Sequence, residues 1–428
     1  MAHIVFVLGN YYPNFQAVGV CIRNVINELK KKHDVTIVCQ KAQLNQKARE
    51  EYEGTQIIRV ETKLNHFRHI YLEKAEINKG GKKKFFNIMA DSVRVIRYFN
   101  ALFSRRVLQN DVLNEYLKSL IKINNELKID MLIPCVGTYE SCIASLKFKI
   151  HENKRAKLMP FMFDNYAYNI AIYRTPKLFY NLKFKNHLRL EKLVIKHSEK
   201  IICMKHYAES YNKAHTDRSK LLVVEHPLII KYENKDKFNF NNDKINIVYT
   251  GGLFMKIRSP EYALSLFEKI LEKNKEIVLH FFGSGNCNLI IDKYIKKFPN
   301  QILSYGLVDI DIVIDARNNC DFLLSIGNVS NNQVPSKTFE YMAALKPIIH
   351  FAKIRNDKTN QILDKYPNKC ILFEESNLLN ENIETLTRFI KETKKPISFE
   401  TLKKIYYDAV PTYTSELING YLNNATKK

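Results

Sequence analysis

Apolar runs of strand length that stop at a glycine, each leading into an amphipathic helix, recur so regularly in this chain that few folds accommodate them. Four stand in succession in the second half: Ile245–Thr250 before Gly251 and Gly252, Ile277–Phe282 before Gly283-Ser284-Gly285, residues 302–305 before Gly306, and Phe322–Ile326 before Gly327. Short, fully apolar runs are the mark of parallel strands covered on both faces. In such a sheet the turns after the strands share one edge, where ligands bind. The pattern therefore predicts one ligand-lined edge rather than four unrelated turns. At Gly283-Ser284-Gly285, only small residues would let a ligand ring lie against the backbone. The first half reads the same way. Residues 4–8 end at Gly9, a loop covers 10–18, a helix carries Ile22, Val25, Ile26 and Leu29, and a second strand spans 35–39. Gly19 at the entrance of that helix allows close approach to the backbone, or is simply a turn residue. The alternation continues through 57–60, 131–136, 158–163, 201–204 and 221–224, so the class is α/β throughout.

At 428 residues, 46% of them hydrophobic, the chain suits two domains. A polar, Asn- and Lys-rich stretch at 231–244 marks the division. The expected organisation is a first domain at 1–228, a linker at 229–244, a second domain at 245–408 and a terminal helix at 409–428. Eight cysteines with no CxxC pair fit a reducing, cytoplasmic compartment and argue against structural zinc. The opening run lacks a basic leader, so no secretory signal is expected. No segment reaches the roughly 18 apolar residues of a membrane span, so membrane contact would be peripheral.

The formal charge of +23 implies an anionic partner. Its densest expression is 79–108, where Lys79, Lys82, Lys83, Lys84, Arg94, Arg97, Arg105 and Arg106 face a single acid, Asp91. Phe85, Phe86 and further apolar residues interleave at helical spacing. Such a helix lies on an anionic bilayer, each basic residue adding about 1 kcal/mol near the surface. A core-facing helix with a solvated basic side is the alternative. Nucleic acid is not an expected partner, because no recognition motif accompanies the charge.

The run from Pro335 to Pro347 reads as a short helix opened by one proline and closed before another. Phe339, Met342 and Ala343 share an apolar face, and Ser336 and Glu340 sit one turn apart beside it. Glu340 lies too deep to cap the helix, and at the border of a buried face it can accept hydrogen bonds from hydroxyls, or else it is a solvated acid on a surface helix. The helix start, reinforced by Lys337, offers a place for phosphate. Vicinal hydroxyls beside phosphates describe a nucleoside diphosphate. Lys256 and Arg258, in the loop after Gly252, add cations for phosphate oxygens. Two first-half strand ends carry the polar clusters 137–140 and 164–166. Asp164 and Glu140 are thus candidates for contacting an acceptor, or else helix caps. Asp309-Ile310-Asp311 has the form of a metal-binding DxD but sits at an expected helix start, where acids favour the dipole. No metal or other cofactor is expected.

On the loop through Gly19, Tyr249-Thr250-Gly251-Gly252 with Lys256 and Arg258, Gly283-Ser284-Gly285, and above all residues 334–347, the chain resembles the retaining sugar transferases of glycosyltransferase family 4. Capsule and exopolysaccharide enzymes with a similar PSKxFEY run are the nearest subgroup. The resemblance implies the GT-B architecture, two Rossmann-like domains facing across a cleft, with the terminal helix returning to the first. It implies a nucleoside-diphosphate-sugar donor, with UDP the expected nucleotide. Glu340 would hold the donor ribose, and Ser336, Lys337, Lys256 and Arg258 the diphosphate. Gly19, Gly251, Gly252, Gly283 and Gly285 would line the donor. The acceptor would be a lipid-linked or surface oligosaccharide at the inner membrane face, oriented by Asp164. Asp164, Glu140 and Lys256 are the expected catalytic residues. The family's E-x7-E pattern places its first acid at Asn332, where this chain can hydrogen-bond a hydroxyl but carries no charge. An epimerase of similar architecture is a rival reading. A non-enzymatic basic binding protein would account for the charge but not for the glycine-ended strands.

Overall fold

Every residue of the first strand, β1 (His3–Val7), is buried, as a parallel strand covered on both faces requires. The computed structural model describes residues 1–13, 15–104, 108–137, 139–163, 167, 179–211, 217–329, 334–392 and 394–424. They form two compact units, 1–227 with 411–428, and 228–410.

The first unit continues with α1 (Ala17–Leu29), β2 (Asp34–Gln40), β3 (Arg49–Tyr52), β4 (Thr55–Val60), α2 (Lys63–Ile77), α3 (Gly80–Phe103) and α4 (Asn110–Glu126). Then come β5 (Met131–Pro134), α5 (Tyr139–His151), β6 (Lys157–Leu158), β7 (Phe161–Met162), α6 (Tyr180–His197), β8 (Ile201–Met204), α7 (Lys205–Tyr211) and β9 (Leu221–Val224). Its main sheet has the order β3-β4-β2-β1-β5-β6, parallel except for β3. A parallel sheet β7-β8-β9 adjoins it where Cys135 bridges to Phe161.

The second unit carries β10 (Ile245–Thr250), α8 (Glu261–Lys273), β11 (Ile277–Phe282), α9 (Asn288–Lys297), β12 (Ile302–Gly306), α10 (Ile310–Asn319), β13 (Phe322–Ile326) and α11 (Lys337–Ala343). It ends with β14 (Ile348–Ala352), α12 (Lys358–Leu363), β15 (Lys369–Phe373), α13 (Leu379–Lys391) and α14 (Phe399–Ile405). All six strands are parallel, in the order β12-β11-β10-β13-β14-β15. The order reverses direction at β10, so the ends of β10 and β13 form the switch point where a ligand fits. Strand β11 is buried along its whole length, and its Leu279 joins Leu266, Phe267 and Phe351 in the core.

The stretch read from sequence as a linker is laid onto this second unit. Asp315, fully buried in α10, accepts from the backbone N–H groups of Lys235, Lys237 and Phe238. Phe238 packs edge-on against Phe282 and Tyr305 at 5.3 and 5.4 Å. Asn and Lys dominate its composition, but two aromatic anchors, Phe238 and Phe240 (4.7 Å from the His280 ring), and one buried acid decide where it lies. The last helix, α15 (Pro411–Asn424), belongs to the first unit. Asn419 Oδ1 accepts a 2.8 Å hydrogen bond from His33 Nε2, and Lys157 reaches the carbonyl of Tyr421 at 3.3 Å.

Candidate functional site

The glycine turns of the second unit do stand side by side along the carboxyl edge. Gly251 N–H donates to the carbonyl of Phe282, and Gly283 N–H to that of Gly306, each at 2.8 Å. Leu253 N–H continues the ladder to Ser284 at 3.0 Å, so the loops after β10 and β11 extend the sheet beyond its strands. That closeness is the reason for glycine. A Cβ on Gly283 would lie 2.0 Å from the Gly251 oxygen, and one on Gly285 1.8 Å from the Leu253 oxygen. The small residues expected to admit a ligand ring are demanded first by neighbouring backbone.

Helix α11 is tied to this edge by Tyr341. Its buried hydroxyl accepts from Thr250 N–H at 2.7 Å and donates to the Thr250 carbonyl at 3.2 Å. Thr250 is the last residue of β10, so the tyrosine beside Glu340 sets the helix at the start of the Gly251-Gly252 loop. At the helix start, the N–H groups of Thr338 and Phe339 already donate to Pro335 and Ser336. Among the described residues, those of Ser336 and Lys337 find no acceptor.

Glu340 is nearly buried, and its Oε2 takes two cations: Arg317, itself only 1% exposed, and Lys337 Nζ at 3.0 Å. Its other oxygen, Oε1, accepts no hydrogen bond among the described residues. Burial pushes the carboxyl up, but Lys337 and Arg317 together outweigh it and hold the group below the ordinary glutamate value. Lys337, assigned from sequence to phosphate, here pairs with Glu340. Arg317 was missed. It projects from α10, its guanidinium 4.8 Å from the Tyr232 ring. The usable signal was an arginine one turn from Val313 and three before Cys320, on the inward stripe of a helix. The same helix starts at Asp309, whose carboxylate caps Asp311 N–H at 2.9 Å. The DxD-like pair thus includes a helix cap.

Lys256 and Arg258 lie on a tight turn whose ends meet, Arg258 N–H donating to Phe254 at 2.6 Å. The turn is stapled to the end of β13 by Val329 N–H, which donates to Ile257 at 2.9 Å. Lys256 is exposed, and among the described residues neither cation has an acid partner. Asn332, at the site of the family's first acid, lies outside the described residues.

In the first unit, Gly19 is buried in the opening turn of α1, where a Cβ would stand 3.3 Å from the Phe15 ring and 3.6 Å from the Asn10 oxygen. Helix and preceding loop pack closely there. Glu140 is buried in the first turn of α5 and accepts from Gln109 N–H at 2.8 Å, an anchor for the start of α4. Asp164 lies outside the described residues.

Helix α3 carries two apolar stripes where the sequence reading saw one. Phe86, Ala90 and Val93 turn inward, Phe86 lying under Lys74 at 5.7 Å. Arg97 is half-buried and bonded to Gln109. Phe86 and Arg97 therefore do not share the face expected to meet lipid. Phe85, Ile88, Ile96, Phe99 and Phe103 form the other stripe, 48% to 77% exposed. Lys82, Lys83, Lys84 and Arg94 are exposed on the same helix.

Known structures carry the architecture of the whole chain. Sucrose-phosphate synthase from Thermosynechococcus elongatus matches 99% of this chain and 100% of its own at 10% identity, with a TM-score of 0.61. The fold is GT-B. A putative UDP-N-acetylglucosamine 2-epimerase from Listeria monocytogenes covers 100% of this chain and 97% of its own, at 9% identity and a TM-score of 0.58. Anabaena HepE in complex with UDP covers 99% and 100%, at 9% identity and a TM-score of 0.56. No protein-family model matches the chain, and no curated protein matches it. Among the described residues, no helix is long and apolar enough to cross a membrane, and no group of three or more His, Cys, Asp or Glu could hold a metal ion.

Proposed function

We propose that the chain transfers a sugar, with retention, from a nucleoside-diphosphate donor to a lipid-linked or surface-polysaccharide acceptor. The observation that carries the reading is Glu340: one carboxylate oxygen is fixed by two cations and the other accepts no hydrogen bond among the described residues, beside the switch point of a parallel sheet. Ionised there, Oε1 accepts from the hydroxyls of a ribose. Arg258 and Lys256, on the loop that begins where Tyr341 grips β10, neutralise the diphosphate as it leaves. Together with the Ser336 and Lys337 N–H groups, they supply this charge stabilisation without a metal ion. Asp164 orients the acceptor. UDP is the favoured nucleotide, supported by its presence in the HepE complex.

A thermal-shift screen of UDP, GDP and ADP and their sugars, followed by incubation of the best donor with and without acceptor, tests the reading. One nucleoside diphosphate should stabilise the chain, by about 2.7 kcal/mol at a hundred times its Kd. Sugar should leave the donor only when acceptor is present. Stabilisation by none of them removes the nucleotide site. Epimerised donor without acceptor makes the enzyme an epimerase.

The proposed acceptor and the net charge of the chain both favour work at a membrane face, on the cytoplasmic side, with α3 as the contact. Five large apolar side chains left 48% to 77% exposed among the described residues, flanked by Lys82, Lys83 and Lys84, match an anionic bilayer. Exchanging those three lysines for glutamine should cut binding to phosphatidylserine–phosphatidylcholine vesicles at least tenfold in a sedimentation assay. Phe99→Asp should do the same, but also at high salt. Vesicle binding unchanged in both variants would move the membrane contact elsewhere.

A further inference from the structure

Arg258 is aimed by a group that carries no charge. Its Nε and Nη2 both donate to a single oxygen, Asn328 Oδ1, at 3.1 and 2.8 Å. Asn328 is 7% exposed and follows Gly327 at the end of β13. Its neighbour Val329 holds the Arg258 turn through Ile257, so donor and acceptor ride on two segments that are stapled together. A guanidinium has donors only, so the amide must present its oxygen.

The charged and titratable groups around Arg258 leave its charge intact. Asp357 feels that charge, yet its carboxylate caps α12 by accepting from Thr359 N–H at 3.0 Å and makes no bond to Arg258. His350 is buried on β14 and bonded to Ser325 at 2.9 Å; burial, and then Arg258, push it down to about 4, so it adds no positive charge at neutral pH. Arg258 also opposes the burial that raises the phenol of Tyr249.

We propose that Asn328 is the positioning residue for Arg258, a neutral acceptor that fixes the guanidinium for an incoming phosphate without discharging it. The proposal rests on the nucleoside-diphosphate reading of this edge. A carboxylate at 328 would take the same two N–H groups as a bidentate ion pair, and phosphate would then have to displace it. An alanine would leave the charge but free its direction. The chemistry thus separates aim from charge, and two near-isosteric side chains at one position can tell them apart.

The test is titration of UDP into the full chain carrying Asn328→Asp, Asn328→Ala, Arg258→Met, or Asn328→Asp together with Arg258→Met, with Tm recorded for each. Asn328→Asp should weaken UDP by at least about tenfold while Tm holds or rises, because an ion pair replaces a neutral bond. Asn328→Ala should weaken UDP about threefold to tenfold. On the Arg258→Met background, Asn328→Asp should add less than about twofold. Wild-type affinity in Asn328→Asp overturns the proposal, as does a loss of affinity that persists in full without Arg258. A parallel fall in Tm and affinity makes Asn328 a packing residue only and also overturns it. If the wild type binds no nucleoside diphosphate, the functional reading itself fails, and that outcome is visible before any variant is made.

Discussion

Glu340→Ala will lose both stability and nucleotide affinity, and the Glu340→Ala/Arg317→Met double variant will recover only the first. Arg317 is 1% exposed, and its only acid partner among the described residues is Glu340. Removing the carboxylate leaves a buried guanidinium uncompensated, which costs about 3–5 kcal/mol. Replacing both partners by apolar groups removes the stranded charge and returns most of that loss. Ribose recognition has no such substitute, so UDP should bind the double variant at least tenfold more weakly than wild type. Urea denaturation and calorimetric titration read the two effects separately. If the double variant regains wild-type affinity, Glu340 serves only to satisfy Arg317, and the donor assignment falls. The pH dependence has a definite sign. The carboxyl is held below its ordinary value of 4.5, so the stability it contributes is complete above that pH and fades as pH drops through the depressed value. The difference between wild type and Glu340→Gln should therefore shrink only in acid.

Gly285→Ala is the second large effect. The added methyl would stand 1.8 Å from the Leu253 carbonyl oxygen, a backbone atom that no rotamer change can move aside. Either the loop after β10 or the loop after β11 must shift, breaking the bonds that join Leu253 to Ser284 and Asn286. About 2–4 kcal/mol of stability should be lost. Gly420→Ala provides the opposite sign in the same chain. It lies exposed in α15 with open space around a Cβ, and alanine there should stabilise by about 0.5–1 kcal/mol. Equal Tm shifts in the two variants would mean that the close approach at Leu253 is not maintained in solution.

Fully apolar strands, glycine turns and helices of 3.6-residue period are written in residues close together, and each could be read from the sequence. So could the parallel α/β class, and the placing of Glu340 beside the buried face of its helix. The sequence by itself also supplied the basic character of α3 and the helix-start reading of Asp309. Tertiary structure alone decided which groups those residues meet. Glu340 and Arg317 stand 23 positions apart, and Tyr341 and Thr250 stand 91 apart. No local spacing encodes either pair, because sheet order at the switch point brings them together. The same holds for α3, where periodicity measures how many residues are apolar but not which of two apolar stripes the neighbouring helix covers. Gly283 and Gly285 show the limit most plainly: the sequence announces that small residues are needed, and only the approach of the next loop's carbonyls says why.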